Sequence, residues 1–106
     1  TNYPPYNVIN GRDGRTTLEI ALAGFSSEDI GVATERNVLT VTAKKKKEEK
    51  NYAHQGISNR SFSKNWQLGS DVVVENVTYT DGLLTVDLIK ELPDKEKRKV
   101  WYGEAA

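Results

Sequence analysis

The chain has no cysteine, no methionine, three prolines, one histidine and no net charge. Each shortage removes a class of explanation. Without cysteine there is neither a disulfide framework nor a thiolate metal site, and a reducing compartment is the expectation. The single histidine, His54, would have to serve any histidine-based triad, and no catalytic motif surrounds it. Fifteen basic and fifteen acidic residues cancel, which removes the broad electrostatic attraction that nucleic-acid and anionic-membrane binders depend on. No apolar run approaches the ~20 residues of a membrane-spanning helix, and no charged-then-apolar stretch opens the sequence as given. The expectation is therefore a cytoplasmic protein with no nucleic-acid or membrane partner. The glycines follow turns rather than a G-x-x-x-x-G-K spacing, and the closest acidic pairs, Glu28-Asp29 and Glu48-Glu49, read as a helix cap and a charge run. No catalysis, cofactor, metal or small-molecule substrate is expected.

What the sequence does contain is β signal. Its 106 residues make one domain, 1–106, able to bury roughly 65% of its unfolded surface. The strongest stretch is Val72-Val73-Val74-Glu75-Asn76-Val77-Thr78-Tyr79-Thr80, then Asp81-Gly82, then Leu83-Leu84-Thr85-Val86-Asp87-Leu88-Ile89. Asp-Gly supplies the positive-φ residues of a tight hairpin, and Leu84, Val86 and Leu88 alternate with Thr85 and Asp87 as a half-buried strand does. Residues 16–23 place Leu18, Ile20 and Leu22 on one face; residues 38–43 do the same with Leu39, Val41 and Ala43. A strand over 30–35 precedes Arg36-Asn37. Tyr6-Asn7-Val8-Ile9, next to Pro4-Pro5, suits a sheet edge. Residues 60–69 put Phe62, Trp66 and Leu68 on one face with Lys64 interrupting it. Ser26, with Asp29 three residues on, reads as a capping box. About eight short strands with few helical signals predict an all-β, immunoglobulin-like sandwich.

Two stretches depart from this pattern. Residues 44–51 are Lys-Lys-Lys-Lys-Glu-Glu-Lys-Asn, a solvated loop with no interleaved aromatic residue to stack on bases. Tyr52-Ala53-His54-Gln55-Gly56-Ile57 then regains modest β character, so that 44–57 reads as a loop carrying a short strand. From residue 90 the chain is a charged tail with one apolar cluster, Val100-Trp101-Tyr102. It begins at Thr1 without a methionine, and the expectation is an excised core whose native ends lie elsewhere.

Val77-Thr78-Tyr79-Thr80-Asp81-Gly82-Leu83-Leu84 resembles the A-x-x-x-n-G-v-L signature of the α-crystallin domain of small heat shock proteins, with Val77 in place of the usual alanine. That change matters if the position packs tightly. Residues 60–69 are similar to the family's F-x-R-x-F-x-L-P pattern, with Lys64, Trp66 and Gly69 replacing Arg, Phe and Pro; Gly69 loosens a corner that proline would stiffen. Ala21-Leu22-Ala23-Gly24-Phe25 and its acidic turn resemble the family's early strands, and Val100-Trp101-Tyr102 is a degenerate form of the I-x-I tail anchor. The resemblance, closest to the bacterial inclusion-body-binding type, implies an ATP-independent holdase whose partners are itself and unfolding client proteins. It implies a dimer in which Tyr6, Asn7, Val8 and Ile9 pair with Tyr52, Ala53, His54, Gln55 and Ile57 of a second copy. It also implies a groove for tails or clients lined by Val32, Thr34, Val74 and Val77. Two other readings of a sandwich remain open: a co-chaperone or interaction module docking a folded partner, and a sugar-binding or hydrolytic domain.

Overall fold

The computed structural model describes residues 2–45, 49–91, 101 and 103. Lys46, Lys47 and Glu48 of the lysine-rich run lie outside these, as does the tail cluster apart from Trp101. Seven strands are formed: β1 (Tyr6–Asn10), β2 (Arg15–Ala21), β3 (Ile30–Glu35), β4 (Val38–Ala43), β5 (Phe62–Gln67), β6 (Val72–Thr80) and β7 (Leu83–Lys90), with a 3₁₀ turn, Ser27–Asp29, between β2 and β3. They make two antiparallel sheets, ordered β1-β2-β7-β6 and β3-β4-β5. The strand over residues 52–57 is not formed in the single chain, which leaves seven where about eight were expected. Six residues with one modest apolar alternation and no neighbouring strand lack the ladder that would hold them extended.

Backbone chemistry sets the corners. Asp81 and Gly82 adopt φ 54° and 78°, and Arg36 and Asn37 adopt 51° and 63°; positive φ at both central residues is the two-residue hairpin turn that matches strand twist. Between β2 and β3, the 3₁₀ turn is closed by the Asp29 amide donating to the Ser26 carbonyl, 2.9 Å. The capping box is corrected here: Ser26 is the N-cap, but its side chain makes no cap bond. A turn of three residues leaves too few free amides to need one.

The core is the sum of the alternating faces. Leu18, Ile20 and Leu22, Leu39, Val41 and Ala43, Leu84, Val86 and Leu88, and Phe25 are all buried. None of the described polar or charged side chains is buried with them. β6 keeps its apolar residues inward through an irregularity: Val74 pairs with Leu88 and Asn76 with Asp87, so Glu75 is an extra residue bulged out of the ladder. Without that bulge, strict alternation after Val77 would turn Glu75 into the core. The signature's departure is harmless here, because Val77 is 39% exposed and does not occupy a tight site.

Candidate interaction surfaces

Four strands end the two sheets: β1 and β6 in one, β3 and β5 in the other. Each presents one row of backbone amides and carbonyls without an intrachain ladder partner, the feature that recruits another strand. The two edge pairs are dressed differently.

On one side β1 lies against β5. All five β1 residues are exposed. Tyr6 and Val8 pair with Ile20 and Leu18 and so share their inward phase, while Asn7 and Ile9 pair with Glu19 and Thr17 on the outer face. The Tyr6 ring meets Trp66 edge-on at 5.4 Å. The Lys64 ammonium sits 5.0 Å from the Tyr6 ring centre and 5.9 Å from that of Trp66. The residue that interrupts the apolar face of β5 is thus half-buried, its alkyl stem lying inward and its charge resting on aromatic faces. Asn7 donates to Glu19 at 3.2 Å. Val8, 54% exposed, has no such cover.

Residues 52–57 do not lie on this edge. With the Ala23-Gly24 turn they line an open cleft of about 360 Å³, whose lining includes Lys45, Tyr52, His54, Gln55, Ile57 and Asn59. Tyr52 and Ile57 are 48% and 75% exposed; Ala53, His54 and Gln55 are exposed as well. Within one chain, then, the two halves of the expected dimer contact are apart.

On the other side β3 faces β6 across a cavity of about 370 Å³. Thr34 and Val74 line it, with Leu68, Val72, Val73, Glu35, Arg36 and Asn37. Val32 instead packs against the core, and Val77 lies farther along β6; neither lines the cavity. Leu68 was legible as sharing the face of Phe62 and Trp66. What the sequence does not display is that Leu68 and Val72 meet here. Among the described residues no group of three or more His, Cys, Asp or Glu could hold a metal ion, and no helix is long and apolar enough to cross a membrane.

Comparison with known proteins follows the same lines. Residues 8–101 match the Hsp20/alpha crystallin family. The small heat shock protein HspD of Bradyrhizobium diazoefficiens is 39% identical over 97 residues, which is 91% of this chain and 64% of that protein. The chain thus spans less than two thirds of that relative's length. The small heat shock protein IbpB of Escherichia coli is 38% identical over 95 residues, 88% of this chain and 67% of the relative. A small heat shock protein from Synechococcus phage S-ShM2 superposes with a TM-score of 0.74 at 37% identity, over 88% of this chain and all of the other. AgsA from Salmonella typhimurium has the same fold, with a TM-score of 0.74 at 24% identity over 92% of this chain and 95% of the other. Two antiparallel sheets with open edges, the Asp81-Gly82 hairpin between β6 and β7 and a match over nearly the whole sequence lead to one conclusion: this chain belongs to the Hsp20/alpha crystallin family.

Proposed function

We propose that this chain is the sandwich of an ATP-independent holdase, which binds partly unfolded proteins through apolar surface and releases that surface by exchanging its own subunits. The observation that carries the reading is the pair of apolar, ladder-open margins, β1 with Val8 exposed and the β3–β6 groove with Thr34, Leu68, Val72 and Val74, on a family member in which no described polar or charged residue is buried in the core. No reactive side chain enters the mechanism. The lack of cysteine favours the cytoplasm.

In this reading the arm at residues 52–57 of one copy adds a strand to β1 of another, exchanging backbone hydrogen bonds to make a homodimer. The β3–β6 groove takes two aliphatic side chains from a tail or client. Burying two such side chains gains roughly 3–6 kcal/mol, whereas association costs an estimated 4–15 kcal/mol. One tail therefore holds poorly, and many tails on one assembly hold through effective concentration. Weak contacts keep the assembly exchanging, which is what exposes client-binding surface.

The test pairs analytical ultracentrifugation with suppression of heat-induced aggregation of a model substrate in the absence of nucleotide. A reversible dimer or larger assembly that protects the substrate is expected. A monomer with no protective effect would sink the reading.

A further inference from the structure

We infer that Asn59 and Tyr3 are positioning residues that aim the partner-seeking arm: Asn59 pins its root to the Ala23-Gly24 turn, which the core immobilises, and Tyr3 holds the same root at Arg60 from the N-terminal segment. The inference rests on the edge-pairing reading above and concerns residues that make none of the proposed partner contacts.

The arm leaves the sandwich after β4 and returns at β5, and both of its roots are tied. The Lys45 amide donates to the Ser61 hydroxyl at 2.8 Å, which joins the outgoing root to the returning one. The Asn59 side-chain amide donates to the Ala23 carbonyl at 2.5 Å. It occupies the space where a Cβ on residue 24 would stand, and residue 24 is a glycine at φ +96°, so the two form an interlock that only glycine permits. The Arg60 amide donates to the Tyr3 hydroxyl at 3.1 Å, and its guanidinium lies 4.6 Å over the Tyr3 ring. That ring in turn meets Phe62 edge-on at 5.8 Å.

The docking point is rigid. The Tyr79 hydroxyl bridges the carbonyls of Leu22 and Phe25 at 2.6 and 2.8 Å, and the Leu22 amide donates to the Gly82 carbonyl at 2.8 Å. The hairpin that organises the core therefore also fixes the turn against which the arm root is latched. Beyond the root, residues 52–57 make no ladder. A fixed root with an unpaired tip restricts the orientations the arm samples, and less entropy is left to lose when it pairs with a partner's β1.

The experiment measures the dimer dissociation constant by sedimentation equilibrium, and the thermal midpoint, for the whole chain and for Asn59→Ala, Asn59→Asp, Tyr3→Phe and Val8→Pro. Val8→Pro removes an edge amide from β1 and reports on the pairing itself. Asn59→Asp keeps the shape but cannot donate to the Ala23 carbonyl. Expected is a loss of dimer affinity of about 5- to 10-fold for each Asn59 variant and for Tyr3→Phe, by the loss of one hydrogen bond, with midpoints close to wild type. If Val8→Pro weakens the dimer but the Asn59 and Tyr3 variants do not, the inference fails while the edge-pairing reading stands. Midpoints that fall in step with affinity would make the role structural and overturn it as well. A dimer unaffected by Val8→Pro overturns the edge pairing and the inference with it.

Discussion

At the residue scale, two aromatic side chains of opposite standing show how local chemistry decides stability. The Trp66 indole nitrogen is buried with no hydrogen-bond acceptor among the described residues, a desolvation cost of about 1–3 kcal/mol that its ring burial must offset. Trp66→Phe, which removes the orphaned donor and some apolar area together, is expected to change unfolding free energy by less than about 1 kcal/mol in chemical denaturation. Tyr79 is the reverse case. Its single proton is shared between the Leu22 and Phe25 carbonyls. Tyr79→Phe is expected to cost about 1–3 kcal/mol and to lower the thermal midpoint by several degrees. That tryptophan stands where the family pattern has phenylalanine was readable in the β5 sequence. The orphaned nitrogen was not, because nothing in the neighbouring sequence states what surrounds it.

At the scale of elements, β6 is the strand whose facing is least evident from its letters. Val72-Val73-Val74 offers a valine to either face, so alternation there cannot choose a phase. The bulge at Glu75 makes the choice, setting Val72 and Val74 inward with Val77 and Tyr79. Deleting Glu75 should therefore be tolerated: Val74 can stay opposite Leu88 and Asn76 opposite Asp87, at the cost of the exposed Arg15–Glu75 ion pair. Deleting Thr78 should not, since it either turns Tyr79 away from the Leu22 and Phe25 carbonyls or turns Asn76 inward in place of Val77. Circular dichroism and thermal unfolding distinguish them: the first variant keeps a β spectrum and a midpoint within a few degrees, and the second loses cooperative unfolding. The same scale explains the arm. Residues 52–57 were read as a strand from their composition, yet a strand is defined by what it pairs with, and the single chain provides no partner.

For the whole molecule, the two pairs of edges suggest two separable modes of association. Among the described residues, the buried hydrophobic core runs from Leu18 to Leu88. Removing residues 92–106 is expected to leave the thermal midpoint within a few degrees and the dimer intact, while assemblies larger than a dimer are lost. Val8→Pro should do the opposite, giving monomers at concentrations where wild type is dimeric. Sedimentation velocity of the two variants side by side checks both. Retention of large assemblies after the truncation would remove the tail from the groove.

The sequence by itself determined seven of the strands, the inward faces of β2, β4, β5 and β7, the tight hairpin at Asp81-Gly82 and the absence of any motif for chemistry. These are local properties: a period of two, or a pair of positive-φ residues, is written in adjacent positions and needs no distant contact to be expressed. Which edges confront each other was decided only in three dimensions. Thr34 meets Val74 across the groove, Lys64 comes to rest on Tyr6 and Trp66, and Asn59 locks against Gly24. Each of these joins elements that are not hydrogen-bonded neighbours in a sheet. Their meeting depends on how one sheet stacks on the other, and that stacking follows from the shapes of all the core side chains together rather than from any one segment.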